Sequence, residues 1–220
     1  MADQVAARVA LVAGATGLVG REVLAALLAD KAYSKVYCVG RRAPPITHPK
    51  LTCHTVDLKA LAALPPVDDV YIALGTTIKV AGSQAAFRAV DYESVVTVAQ
   101  AAHASGATKL GVVSAMGANA KSAVFYNRVK GEMEDAVCQL GFDSVVIVRP
   151  SFLAGDRSSL QQPVRSAEKW VSSTMRLLSP LIPANYQAIG PEQVARALVH
   201  AVKAGRPGVQ RILSGELQTY

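Results

Sequence analysis

The chain has 220 residues, 51% of them hydrophobic and 18% charged, which excludes wholesale disorder and lets a core form without metal or disulfide staples. Its three cysteines (Cys38, Cys53, Cys138) are odd in number and far apart, and its four histidines lack ligand spacing, so no disulfide scaffold and no metal site are expected. The formal charge of +7 is denser after residue 150, at Arg157, Arg165, Lys169 and Arg176, but aromatics are only 5% and are not interleaved with the basic residues; no nucleic-acid partner is expected.

Residues 9–15 are apolar, yet Asp3 precedes them, Arg8 abuts them and glycines follow at once, which is not a secretory leader. No run approaches the ~18 apolar residues that cross a bilayer. The expectation is a soluble, cytoplasmic protein with no membrane partner.

A strand over Arg8–Ala13 runs into Gly14, Gly17 and Gly20 and then into a helix over Leu18–Ala29. Glycines so placed suit a tight turn, close backbone approach to a pyrophosphate and close helix–strand packing, although taken alone they also suit a flexible turn. The helix start would offer free N–H groups and a positive dipole end to the phosphates. Thr16, Leu18 and Val19 of the same loop join the three glycines as expected cofactor contacts.

The second strand, 36–39, ends in Cys38-Val39-Gly40-Arg41-Arg42, with no acid where an NAD site places one for the ribose 2′-hydroxyl. Arg41 and Arg42 suit a 2′-phosphate, which a guanidinium meets in a bidentate fork, so NADP(H) is expected over NAD(H); two surface arginines opening a loop is the alternative. Past the third strand, 51–56, Asp57 is placed either to meet the adenine or to cap the next stretch, with Leu58 beside it. A fourth strand at 70–74 precedes a helical stretch at 83–104.

The fifth strand, 110–114, ends on Ser114, and a helix over 125–140 opens with Tyr126-Asn-Arg-Val-Lys130. Tyr126 and Lys130 are four apart and share a helix face. An ammonium there favours the phenolate, which makes Tyr126 a general acid or base, while Ser114 would donate to a carbonyl oxygen as charge develops on it. Lys130 would also hold the nicotinamide ribose. The bland alternative is a boundary tyrosine and a solvated lysine.

After a sixth strand at 144–148 the pattern loosens. A loop over 151–165, a helix around 167–178, a turn at Pro180 and Pro183, a helix over Pro191–Ala204 and a short strand at 210–213 are expected. These 70 residues read as a cap over the sheet's C-terminal edge, with 151–190 on the substrate side. Phe152, Trp170 and Tyr186 are its candidate apolar walls, or else core. Continuous apolar strands alternating with helices define one α/β unit over 1–220, a doubly wound parallel sheet of Rossmann type.

Gly14, Gly17, Gly20, the arginine pair, Ser114 and the Tyr126/Lys130 spacing resemble the short-chain dehydrogenase/reductase superfamily in its extended and atypical branches. More narrowly, Ala73-Leu-Gly-Thr-Thr77, Val113-Ser-Ala-Met-Gly-Ala118 and Tyr126-Asn-Arg-Val-Lys-Gly-Glu132 are similar to the Tat-interacting-protein-like oxidoreductases. The resemblance implies a Rossmann fold, NAD(P)H, and Ser/Tyr/Lys catalysis on a small carbonyl or alcohol substrate. It also implies that Leu74, Gly75 and Thr76 line the cofactor, that Pro150 borders the nicotinamide, and that the helices over 83–104 and 125–140 join copies in a homo-oligomer. One departure is Asp91, where many members carry an asparagine tied to a proton relay.

The leading expectation is therefore an NADPH-dependent oxidoreductase. A non-catalytic NADP(H) sensor or regulator is the alternative, favoured by the short C-terminal part. A sugar-nucleotide epimerase or dehydratase shares the triad but usually needs a larger substrate domain.

Overall fold

The computed structural model describes residues 7–58, 61, 64–154 and 183–220. Its strands are β1 (Arg8–Ala13), β2 (Tyr33–Gly40), β3 (Leu51–Thr55), β4 (Asp69–Ile72), β5 (Lys109–Val113), β6 (Ser144–Arg149) and β7 (Gly208–Leu213). They form one sheet in the order β3-β2-β1-β4-β5-β6-β7, every neighbouring pair parallel. The chain reverses its winding direction between β1 and β4, the switch point where doubly wound sheets bind ligands.

Both faces of the sheet are covered. Ala10 and Val12 of β1 point to one side, where α1 (Leu18–Ala29) and α6 (Pro191–Ala204) pack. Leu11 and Ala13 point to the other, against α4 (Ser94–Ala104) and α5 (Phe125–Cys138). A strand buried on both faces needs apolar residues at every position, which is why β1 reads as an unbroken run.

The helical stretch at 83–104 is not one α-helix. α2 (Ile78–Ala81) ends at Gly82, and α3 (Gln84–Arg88) starts on Ser83, whose hydroxyl accepts the Ala86 N–H. A π-helical turn over Ala89–Glu93 then separates α3 from α4. Ser94 donates its hydroxyl proton to the Ala89 carbonyl at 2.8 Å within this wider turn. Such turns are rare and concentrate at functional sites; this one carries Asp91.

Strands β2 and β4 start earlier than their apolar runs suggest, because polar residues at their first positions are paired. Asp69 is buried, accepts the Tyr33 hydroxyl at 2.6 Å and pairs with Arg8, while the Tyr33 and Tyr71 hydroxyls stand 2.7 Å apart. Burial pushes the Asp69 carboxyl above the usual carboxylate range, against the pull of Tyr33 and Arg8.

The C-terminal residues 191–213 belong to the body of the fold, not to a cap. α6 covers one face of the sheet and β7 extends it beside β6. Gly111 lets α6 lie tightly on β5: a Cβ there would come within 2.7 Å of Val202 Cγ2. The expected loop and helix between 155 and 178 lie outside the described residues.

Candidate active site

The loops leaving the C-terminal ends of β1, β2, β3 and β4 enclose a cleft. Gly14 takes φ +89° at the end of β1, and a Cβ on Gly20 would stand 2.0 Å from the Gly14 carbonyl oxygen, so the loop folds directly onto the start of α1. The Gly17 N–H closes the turn on the Gly14 carbonyl at 2.9 Å. Gly17 caps α1 without a side-chain hydrogen bond and no acidic residue sits in the first turn. The helix start is thus open to an anion, as a dinucleotide's phosphates require.

The cleft wall brings together Gly14, Thr16, Gly17, Arg41, Arg42, Leu58, Leu74 and Gly75 of the expected set. Leu18 and Val19 have buried side chains in α1 and offer backbone there. Asp57 is exposed and outside the wall. Cys38, Cys53, His54 and Val90 line the cleft without having been singled out in the sequence. Register accounts for two of them: Cys53 lies opposite Cys38 and His54 opposite Val39 across β2 and β3.

Beyond Gly75 the π-helical turn aims Asp91 inward. Its Oδ2 accepts the Thr76 N–H at 2.8 Å and its Oδ1 faces the Lys130 ammonium at 2.8 Å, both side chains being buried. Burial alone would lower the Lys130 pKa, but Asp91 first, then Tyr126 and Glu134, together outweigh it and hold the ammonium above the ordinary lysine value. Gly75 lies over the pair, where a Cβ would reach within 3.5 Å of Asp91 Oδ1. One turn before Lys130, the Tyr126 ring packs on buried Phe87 with centroids 5.4 Å apart.

Ser114 is buried, and its hydroxyl donates to Glu134 Oε1 at 2.5 Å. The same carboxylate receives two hydrogen bonds from Arg149, at 2.9 and 2.6 Å, and faces Arg211 at 3.4 Å. Glu134 extends the Tyr126 and Lys130 spacing by another four residues, a stripe on α5 visible in the sequence as a four-residue period. In this arrangement the Ser114 proton points at Glu134.

A second, open cleft of about 510 Å³ adjoins this site, lined by Thr77, Ile78, Ala115, Met116, Tyr126, Pro150, Ser151, Phe152 and Tyr186. Tyr126 and Pro150 of the expected set therefore face it, while Ser114 and Lys130 stand behind its wall. Phe152 and Tyr186 stand on its rim, 65% and 63% exposed. Trp170, Arg157 and Arg165 lie outside the described residues. The arrangement can hold a dinucleotide over the glycine loop and present a tyrosine hydroxyl to a second molecule.

The profile of the NAD(P)H-binding family matches residues 14–204. A Scheffersomyces stipitis protein named FMP52-1, mitochondrial, is 35% identical over 158 residues, covering 68% of this chain and 69% of its own. The Chaetomium globosum protein named FMP52, mitochondrial, is 33% identical over 208 residues, covering 90% and 88%. Among solved structures, a short chain dehydrogenase family protein from Francisella tularensis superposes with TM-score 0.68 at 15% identity over 97% of this chain and all of that one. MoeE5 in complex with UDP-glucose and NAD gives 0.68 at 16% over 96% and 80%. At such identities the two structures establish the fold alone.

These relatives overturn the cytoplasmic expectation, since they are named mitochondrial in species across the fungi. A secretory leader and a bilayer-length apolar run are both unrelated to mitochondrial delivery, whose signals are amphipathic and Arg-rich.

Proposed function

The chain belongs to the NAD(P)H-binding family, and from that premise we propose an NADPH-dependent oxidoreductase of the atypical short-chain dehydrogenase/reductase kind, acting on a small carbonyl or alcohol. The observation that carries this reading is Tyr126 facing an open cleft beside the glycine-loop site, with Lys130 one helical turn behind it.

Bound over the glycine loop, NADPH would supply the hydride. The chain's own residues do the rest. Backbone N–H groups at the start of α1 neutralise the diphosphate. Arg41 and Arg42, exposed at the end of β2 with no carboxylate among the described residues of the cleft wall, support the 2′-phosphate preference. Leu74, Gly75 and Pro150 would hold the nicotinamide half, with Thr76 beside them, while the Lys130 ammonium rests on Asp91 behind the cleft wall and would reach the ribose only by leaving that partner. Tyr126 gives its proton to the carbonyl oxygen, or takes one from the alcohol in reverse. Ser114 can donate to that oxygen only by turning its hydroxyl away from Glu134. The relatives' names support a mitochondrial setting.

Equilibrium binding of NADPH and NADH to the wild type, Arg41→Ala and Arg42→Ala tests the cofactor half. Tighter NADPH binding that weakens in both variants supports it; equal affinities sink the 2′-phosphate preference, and no binding sinks the whole reading. A cofactor sensor without turnover is the second reading, favoured by the Ser114 proton committed to Glu134. Tyr126→Phe separates the two: it abolishes turnover in the enzyme while leaving NADPH binding in place.

A further inference from the structure

Resting on the oxidoreductase reading, we infer that the substrate is a neutral carbonyl compound with an aryl or alkyl body, and not a phosphorylated or nucleotide-linked one. The wall of the Tyr126 cleft, among the described residues, contains no lysine, arginine, histidine or carboxylate. Ile78, Ala115, Met116, Pro150 and Phe152 give it apolar surface. A diphosphate or sugar phosphate desolvated against such a wall would lose hydration without gaining a cationic partner.

The wall's small hydroxyls are already committed. Thr77 Oγ1 accepts the Val80 N–H at 3.1 Å as the cap of α2. Ser151 donates to the Gln187 carbonyl and accepts from Ser214 at 2.9 Å. Among the described residues, the hydroxyls of Tyr126 and Tyr186 are the remaining side-chain oxygens of the wall, which suits one carbonyl anchor in a mainly apolar surface.

The backbone that carries the two rim aromatics is tied to the fold. The Ile189 N–H donates to the Phe152 carbonyl at 2.9 Å and the Ala154 N–H to the Ile189 carbonyl at 2.8 Å. This clip joins the segment carrying Phe152 to the segment after Tyr186. Asn185 accepts the Gly215 N–H at 2.8 Å and ties that segment to the main body. Aromatic rings carried on an ordered backbone present apolar area with only their two side-chain torsions left to settle.

The test pairs binding to the full chain loaded with NADP+ and turnover with NADPH, using acetophenone and decanal against UDP-glucose and glyceraldehyde 3-phosphate, in wild type, Phe152→Ala and Tyr186→Ala. The expected result is binding and turnover of the apolar carbonyls, with KM or Kd raised about tenfold or more in either variant while NADPH affinity is unchanged. Selective binding of the apolar compounds without turnover would remove the oxidoreductase reading and leave this inference standing. Preference for the phosphorylated or nucleotide-linked compounds, apolar binding indifferent to both substitutions, or no binding of any of the four would overturn it.

Discussion

The Lys130 ammonium stands 2.8 Å from the Asp91 carboxylate, and both are buried between α5 and the π-helical turn. Lys130 therefore does not act on Tyr126 as an isolated charge: Asp91 balances it, and Thr76 fixes Asp91 from the β4 loop. The pair joins the glycine-lined cleft to the tyrosine that faces the substrate side.

Breaking that pair from one side leaves a buried charge alone. Lys130→Met should lower unfolding stability by about 3–5 kcal/mol. The double variant Asp91→Asn/Lys130→Met should recover part of the loss, because neither charge remains. Urea denaturation of the wild type, both single variants and the double variant measures the coupling; strictly additive costs would show that the two groups do not interact.

The same pair predicts an alkaline limb of stability. Against the cost of burial, Asp91, with help from Tyr126 and Glu134, holds the folded pKa of Lys130 above the ordinary value of 10.5. The protonated lysine therefore contributes stability in full below about pH 10.5, and the contribution fades as pH rises through the higher folded value. Melting temperatures from pH 8 to 12 should show the wild type losing its advantage over Lys130→Met only at the alkaline end. A difference that stays constant across that range would refute the assignment.

Ser114 and Tyr126 should differ in consequence if the enzyme reading holds. The Ser114 proton rests on Glu134, which Arg149 also holds. Ser114→Ala is expected to lower kcat by less than about tenfold, well short of the 10²–10³ lost with an oxyanion donor. A loss of that larger size would mean that the hydroxyl turns to the substrate during turnover.

The cleft's cysteines offer a footprint for the cofactor. Burial, with Cys53 alongside, pushes the Cys38 thiol up to about 12, whereas Cys53 is exposed on the wall. Iodoacetamide at pH 8 should label Cys53 and spare Cys38, and saturating NADPH should slow Cys53 labelling while leaving Cys138 unaffected. If Cys53 reacts equally fast with and without NADPH, the adenosine half of the cofactor does not reach β3.

The sequence by itself determined the sheet, the order of strands and helices and the glycine loop, because each rests on local physics. Strands covered on both faces must be apolar throughout, α1 must start where glycines let the loop turn, and Tyr126 and Lys130 must share a face of α5 whatever surrounds them. The tertiary structure decided how charge and protons are arranged. Asp91 reaches Lys130 only because a π-helical turn rotates it inward, and Glu134 claims the Ser114 proton only because β5, α5 and β6 converge there. The joining of α6 and β7 to the fold was equally hidden, since a long crossover and the close approach over Gly111 leave no local signature. Side-chain period is readable along the chain, whereas the partner of a buried charge is set by elements distant in sequence, and packing alone brings them together.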